Sequence, residues 1–125
     1  MELNPETDLE IDVNDLTAEF KKLSLMLFRY YQNKAKVEAQ RDIAKAKLKE
    51  TRAIVRKRIK LDTSVKHTES SLEAEIDTDP QVIEAQNKFV RAEHDAATWY
   101  GAVDSMKAKK DCLIQLGSDR RKEIG

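Results

Sequence analysis

Apolar side chains recur at 3-4 spacing twice in this chain, and that repeat constrains the fold more than any other feature. Leu16, Phe20, Leu23, Leu27, Tyr30, Val37, Ala44, Leu48 and Val55 share one register, interrupted by Lys34, Arg41, Thr51 and Arg58. The spacing matches the 3.6-residue turn and predicts one long helix over 15–61, on the order of 65 Å at ~1.5 Å per residue. A second register, Val82, Ala85, Phe89, Ala92, Ala96, Trp99, Val103, Met106, Lys110 and Leu113, predicts a coiled-coil-like helix over 80–117. Asp79 before Pro80 marks its start, an N-cap acceptor followed by a residue whose missing N–H is harmless in the first turn. Gly117 is its expected stop.

Near the start Leu9, Ile11 and Val13 alternate with acids, and in the turn-prone stretch 62–79 Leu72, Ala74 and Ile76 do the same. Both read as short strands. The expected fold class is therefore mainly α: two long helices in an antiparallel hairpin with a small two-stranded element. Residues 1–125 form a single domain, with an acidic flexible start at 1–8 and a linker with a short strand at 62–79. Long helices that each bury one stripe give a thin core, so self-assembly is the expectation. Residues 23–28, "LSLMLF", are apolar almost all round the helix. A thick local core would explain them, but in so thin a protein Leu23, Met26, Leu27 and Phe28 are the candidate oligomer interface.

The formal net charge is zero, but the charges are segregated. Residues 1–20 hold seven acids and no Lys or Arg, whereas 44–60 hold eight Lys or Arg against Glu50 alone. On a helix Arg41, Lys45, Lys49, Arg52, Arg56 and Lys60 fall in one sector, with Lys57 and Arg58 in the same block. A solvated face would be the reading if acids were interspersed. Without i to i+4 acidic partners, like charges repel by ~0.2 to 0.5 kcal/mol per pair, and a polyanion offsets that repulsion. These eight residues are the candidate DNA-binding set, contacting backbone rather than bases, since the sector contains no aromatic residue. Tyr31 and Tyr100, off the seam, leave base stacking open; most of the other aromatics sit at seam positions and read as core. The acidic start reads as a tail that favours the helix start through Asp12 and Asp15, and a second role, docking on the basic stripe as a phosphate decoy, stays open.

No catalytic constellation is visible. His67 and His94 lie far apart, Cys112 is a lone cysteine that reads as a small buried or half-buried side chain, and the "EAEIDTD" acids follow no metal-binding spacing. The reading is a non-enzyme with no cofactor and no metal. No stretch approaches the ~18 apolar residues of a membrane span, so a cytoplasmic protein with no membrane partner is expected.

Three places together resemble the UvsY-type recombination mediators of T-even-like bacteriophages. They are Ile11-Asp12 followed by Leu16 and Glu19; the basic helix end followed by "SLEAEID"; and Trp99-Tyr100-Gly101 with Asp104 and Ile114. The resemblance spans most of the chain. It implies non-specific single-stranded DNA binding, a ring of six or seven protomers, DNA-contacting cations in the basic helical region, and loading of a RecA-like recombinase onto DNA coated by single-strand binding protein. It also implies the host cytoplasm and no catalytic activity. The competing class is an interaction protein, a prefoldin-like chaperone or structural coiled coil, which apolar residues at solvent-facing helix tips would favour.

Overall fold

The computed structural model describes residues 2–62 and 64–124; the outer limits of the 1–125 span and position 63 of the expected linker lie outside it. Four helices follow in order: α1 (Pro5–Asp8), α2 (Leu16–Leu61), α3 (Glu69–Thr78) and α4 (Pro80–Ile124). The protein is mainly helical, with α2 and α4 packed against each other. None of these helices is long and apolar enough to cross a membrane.

No strand occurs among the described residues, which corrects the expected two-stranded element. Leu72 and Ile76, read as alternating strand positions, are also i and i+4 of a helix, and α3 buries both on one face while Ala74 stays exposed. Local chemistry favours the helix: Thr68 caps it by accepting from the Ser71 N–H at 3.1 Å, and Glu and Ala are good helix formers. With no second strand to pair with, residues 9–13 remain non-helical and non-strand, and Leu9 and Ile11 pack on the core instead.

Asp79-Pro80 separates α3 from α4. Asp79 is extended, as a residue before proline prefers, and its carboxylate accepts from the Gln81 N–H at 2.9 Å. The far end of α4 departs from expectation. The helix runs through Gly117, which lacks the positive φ of a helix-ending glycine. A Cβ on Gly117 would meet the Phe20 ring at 3.5 Å, an ordinary contact.

Packing divides the chain into two units, one of Met1–Lys36 with Ala97–Gly125 and the other Val37–Ala96. In the first, Leu16 and Leu23 meet Leu113, while Met26 and Tyr30 meet Ala102, Val103 and Met106, so these parts of α2 and α4 run antiparallel. The acidic start, expected to be flexible, belongs to this unit. It forms α1, capped by the Asn4 side chain at the Glu6 N–H, and Leu3, Leu9 and Ile11 cover the core. In the second unit Val55, Leu72, Ile76 and Val82 form a core flanked by Leu48 and Ile59.

Candidate nucleic-acid interface

The basic face of α2 lies in the second unit. Burying Leu72 and Ile76 against Val55 and Val82 contributes ~1.5 to 3 kcal/mol per side chain and places the acidic edge of α3 beside α2. Arg52 then donates to Asp77 at 2.8 Å and to Glu73 at 2.9 Å. Arg56 donates to Glu73 and lies 3.7 Å from Glu69, and Arg58 donates to Asp79. The half-exposed pairs of Arg52 and Arg56 contribute ~0.2 to 1 kcal/mol each, so apolar burial docks α3 and the ion pairs set its register. The bond to Asp77 foremost, against the cost of burial, raises the Arg52 pKa.

The acids that the one-dimensional pattern found missing from α2 thus come from α3 and its junction with α4. They sort the eight candidate cations into two sets. Arg52, Arg56 and Arg58 are matched by carboxylates, and Arg41 pairs with its neighbour Asp42 at 3.2 Å. Lys45, Lys49, Lys57 and Lys60 are exposed and have no ion pair among the described residues. On the helical wheel these lysines span ~120°: Lys45 falls between Arg52 and Arg56, and Lys49, Lys60 and Lys57 lie farther round than Arg41, Arg52 and Arg56. Lys49, Lys57 and Lys60 border an open groove of about 480 Å³ that also includes Ala53, Leu61 and the matched Arg52 and Arg56. Ammonium groups beside an aliphatic floor suit a phosphate chain with sugars and bases lying between the charges.

The candidate oligomer residues fall on two sides of α2. Leu23 and Met26 are buried in the first unit's own clusters, and Leu27 is half-buried against both. Phe28 is 59% exposed, and Leu25, absent from the candidate set, is 48% exposed. The reason is angular: Leu23, Met26, Leu27 and Tyr30 keep the 3-4 spacing of the inner stripe, and Leu25 and Phe28 fall outside it. The two aromatics left open for stacking are engaged by cations. Lys107 Nζ lies 5.5 Å from the Tyr31 ring centroid and Lys34 Nζ 5.3 Å from that of Tyr100. Cys112, expected in a core setting, is exposed. His67 lies 3.8 Å from Glu75, and among the described residues no group of three His, Cys, Asp or Glu side chains could hold a metal ion.

Sequence reasoning missed a polar network in the first unit. Tyr30 donates to the Asp8 carboxylate at 2.6 Å, Lys109 Nζ to the Asp8 carbonyl oxygen at 2.6 Å, and Arg120 to the Val13 carbonyl oxygen at 2.6 Å. These bonds fasten the acidic segment to α2 and α4. The register expected Lys110 on the seam; Lys109 is the buried residue and Lys110 is exposed. The spacing from Met106 to Leu113 passes through either residue, so the signal was present but two-valued.

Compared with protein-family models, with curated proteins and with solved structures, the chain matches none of them.

Proposed function

We propose that this chain is a non-catalytic, self-assembling protein that binds single-stranded DNA without sequence preference and mediates the loading of a RecA-like recombinase onto DNA coated by single-strand binding protein. One observation carries the DNA-binding part: four exposed lysines, Lys45, Lys49, Lys57 and Lys60, stay without acidic partners among the described residues, on the stretch of α2 where Arg41, Arg52, Arg56 and Arg58 are matched. Each ammonium that neutralises a phosphate releases condensed counterions, and a row of them follows a flexible strand. The mediator role, and a ring of six or seven protomers, rest on the sequence resemblance to UvsY-type proteins. Leu25 and Phe28 supply an exposed apolar face for contact between protomers.

Fluorescence anisotropy with single-stranded and double-stranded oligonucleotides over a salt series tests the reading. Tighter binding of single strands, any sequence alike, with log affinity falling linearly against log salt, is the expected result. Absence of salt-dependent binding defeats it. A chaperone-like holder of unfolded chains is the second reading, favoured by Leu61 at 73% and Val65 at 54% exposure near the end of α2. Suppression of client aggregation in the absence of DNA binding would select it.

A further inference from the structure

Arg29, Gln32, Asn33 and Lys36 occupy positions i, i+3, i+4 and i+7 of α2, one face over two turns. With Trp99 of α4 and Leu3 of the start they line an open hollow of about 350 Å³ in the first unit. That volume is at the small end of the ~300 to 1,000 Å³ typical of ligand pockets. Among the described residues none of these four polar side chains makes a side-chain hydrogen bond or ion pair, and the Arg29 Nε is buried with no partner. A buried guanidinium nitrogen without an acceptor is a cost that native proteins rarely leave standing. Trp99 is held by the Tyr30 ring at a centroid distance of 5.7 Å and a tilt of 56°. Tyr30 in turn is fixed by Asp8, so the aromatic wall is set by the fold before any ligand arrives.

We propose that this hollow binds one nucleotide: a base against Trp99, with its edge read by the Gln32 and Asn33 amides, and a phosphate on Arg29 and Lys36. The chemistry selects that class. Two cations in one hollow call for an anion, an indole calls for a planar ring, and adjacent carboxamides offer paired donors and acceptors of the kind that meet an adenine edge. A bare anion would leave Trp99 and both amides unused. The site is separate in residues from the lysine edge and does not depend on it.

Trp99 is the sole tryptophan, so its fluorescence reports on the hollow directly. The full-length chain is titrated with dAMP, with a short deoxyadenosine oligonucleotide, with deoxyadenosine and with inorganic phosphate. The expected result is saturable quenching by dAMP, weaker with deoxyadenosine and absent with phosphate alone. Quenching by the oligonucleotide but not by dAMP would also support the site and identify its ligand as a nucleotide within a strand. Lys36→Glu, at an exposed position, raises the half-saturation concentration at least about tenfold, as removal of a charge-assisted hydrogen bond does. Arg29→Gln does the same, with circular dichroism checking its helicity. No quenching by either nucleotide, quenching equal with phosphate alone, or a response indifferent to Lys36→Glu overturns the proposal. Strand binding at the lysine edge is read separately by anisotropy, so either reading falls without the other.

Discussion

The ammonium of Lys109 lies 3.0 Å from a Glu19 carboxylate oxygen, with the two side chains only 5% and 11% exposed. The same ammonium donates to the Asp8 carbonyl oxygen, and the other Glu19 oxygen accepts from the Asp12 N–H at 3.3 Å. One buried cation therefore ties α4 to the start of α2 and to the acidic segment before it.

Removing one member of this pair is costly because its partner is left buried and uncompensated. Lys109→Met should lower stability by about 3 kcal/mol, and adding Glu19→Leu should recover much of that loss, since an apolar pair of similar volume costs little. Urea denaturation of the three proteins measures both effects.

Burial pushes the Glu19 carboxyl up, but the hydrogen bonds from Lys109 and Asp12 and the charges of Lys109 and Lys22 outweigh it and hold it below the usual 4.5. A group with a depressed folded-state pKa adds stability that is present above its unfolded value and lost as pH falls through the folded one. The urea midpoint should therefore decline on acidification below about 4.5, and Glu19→Gln should flatten that acid limb.

Tyr30 is fully buried, and its hydroxyl donates to Asp8 at 2.6 Å. Burial first, then the hydrogen bond to Asp8 and its negative charge, raise the phenol far above its ordinary value of 10.0. The sign is opposite to that of Glu19: this stability is fully present below pH 10 and lost as pH rises beyond it. Tyr30→Phe should cost ~1.5 to 3 kcal/mol at neutral pH, as loss of a hydrogen bond to a charged group does, and should reduce the alkaline decline. Denaturant midpoints from neutral to alkaline pH show both.

Replacing Lys45, Lys49 and Lys57 together by Gln should weaken binding of every single-stranded sequence alike. The slope of log affinity against log salt should become shallower by roughly two, at about 0.7 for each phosphate no longer neutralised. Helicity should not change, because all three side chains are exposed. Arg52→Gln with Arg56→Gln should act differently, freeing Glu73 and Asp77 and loosening α3, seen as faster amide hydrogen exchange over 69–78. An unchanged affinity in the triple lysine variant would return the edge to a solvated face.

Self-assembly predicts a light-scattering mass several times 14.4 kDa. Leu25→Ser with Phe28→Ser should bring the mass down to one protomer with the circular dichroism spectrum intact, since both side chains are largely exposed. Leu23→Ala and Met26→Ala should instead destabilise the protomer by ~2 to 5 kcal/mol each. A wild-type monomer at micromolar concentration defeats the assembly proposal.

Much of the helical frame was legible along the chain because a helix is specified by neighbours three and four residues apart. Leu16, Leu23, Tyr30, Val37 and Val55 in α2, and Val82, Ala96, Val103, Met106 and Leu113 in α4, are buried at the positions the register assigned to the inner stripe. Asp79-Pro80 was equally plain, since a side-chain cap and a missing N–H act within one turn. The candidate site was legible only as a block of charge. Which cations stay free depends on acids more than twenty residues away in the case of Arg52 and Arg58, and periodicity carries no such information.

By itself, the sequence determined the helix positions and the local cap chemistry, because those follow from backbone geometry and interactions within a few residues. Tertiary structure decided what alternation and charge left two-valued. Leu72 and Ile76 became a helical face because Val55 and Val82 offered a surface to bury them, and Lys109 rather than Lys110 turned inward because Glu19 and Asp8 were there to receive its charge. The difference is physical: propensity acts locally, whereas burying an apolar face or an ammonium stabilises the fold only when distant residues supply the matching surface.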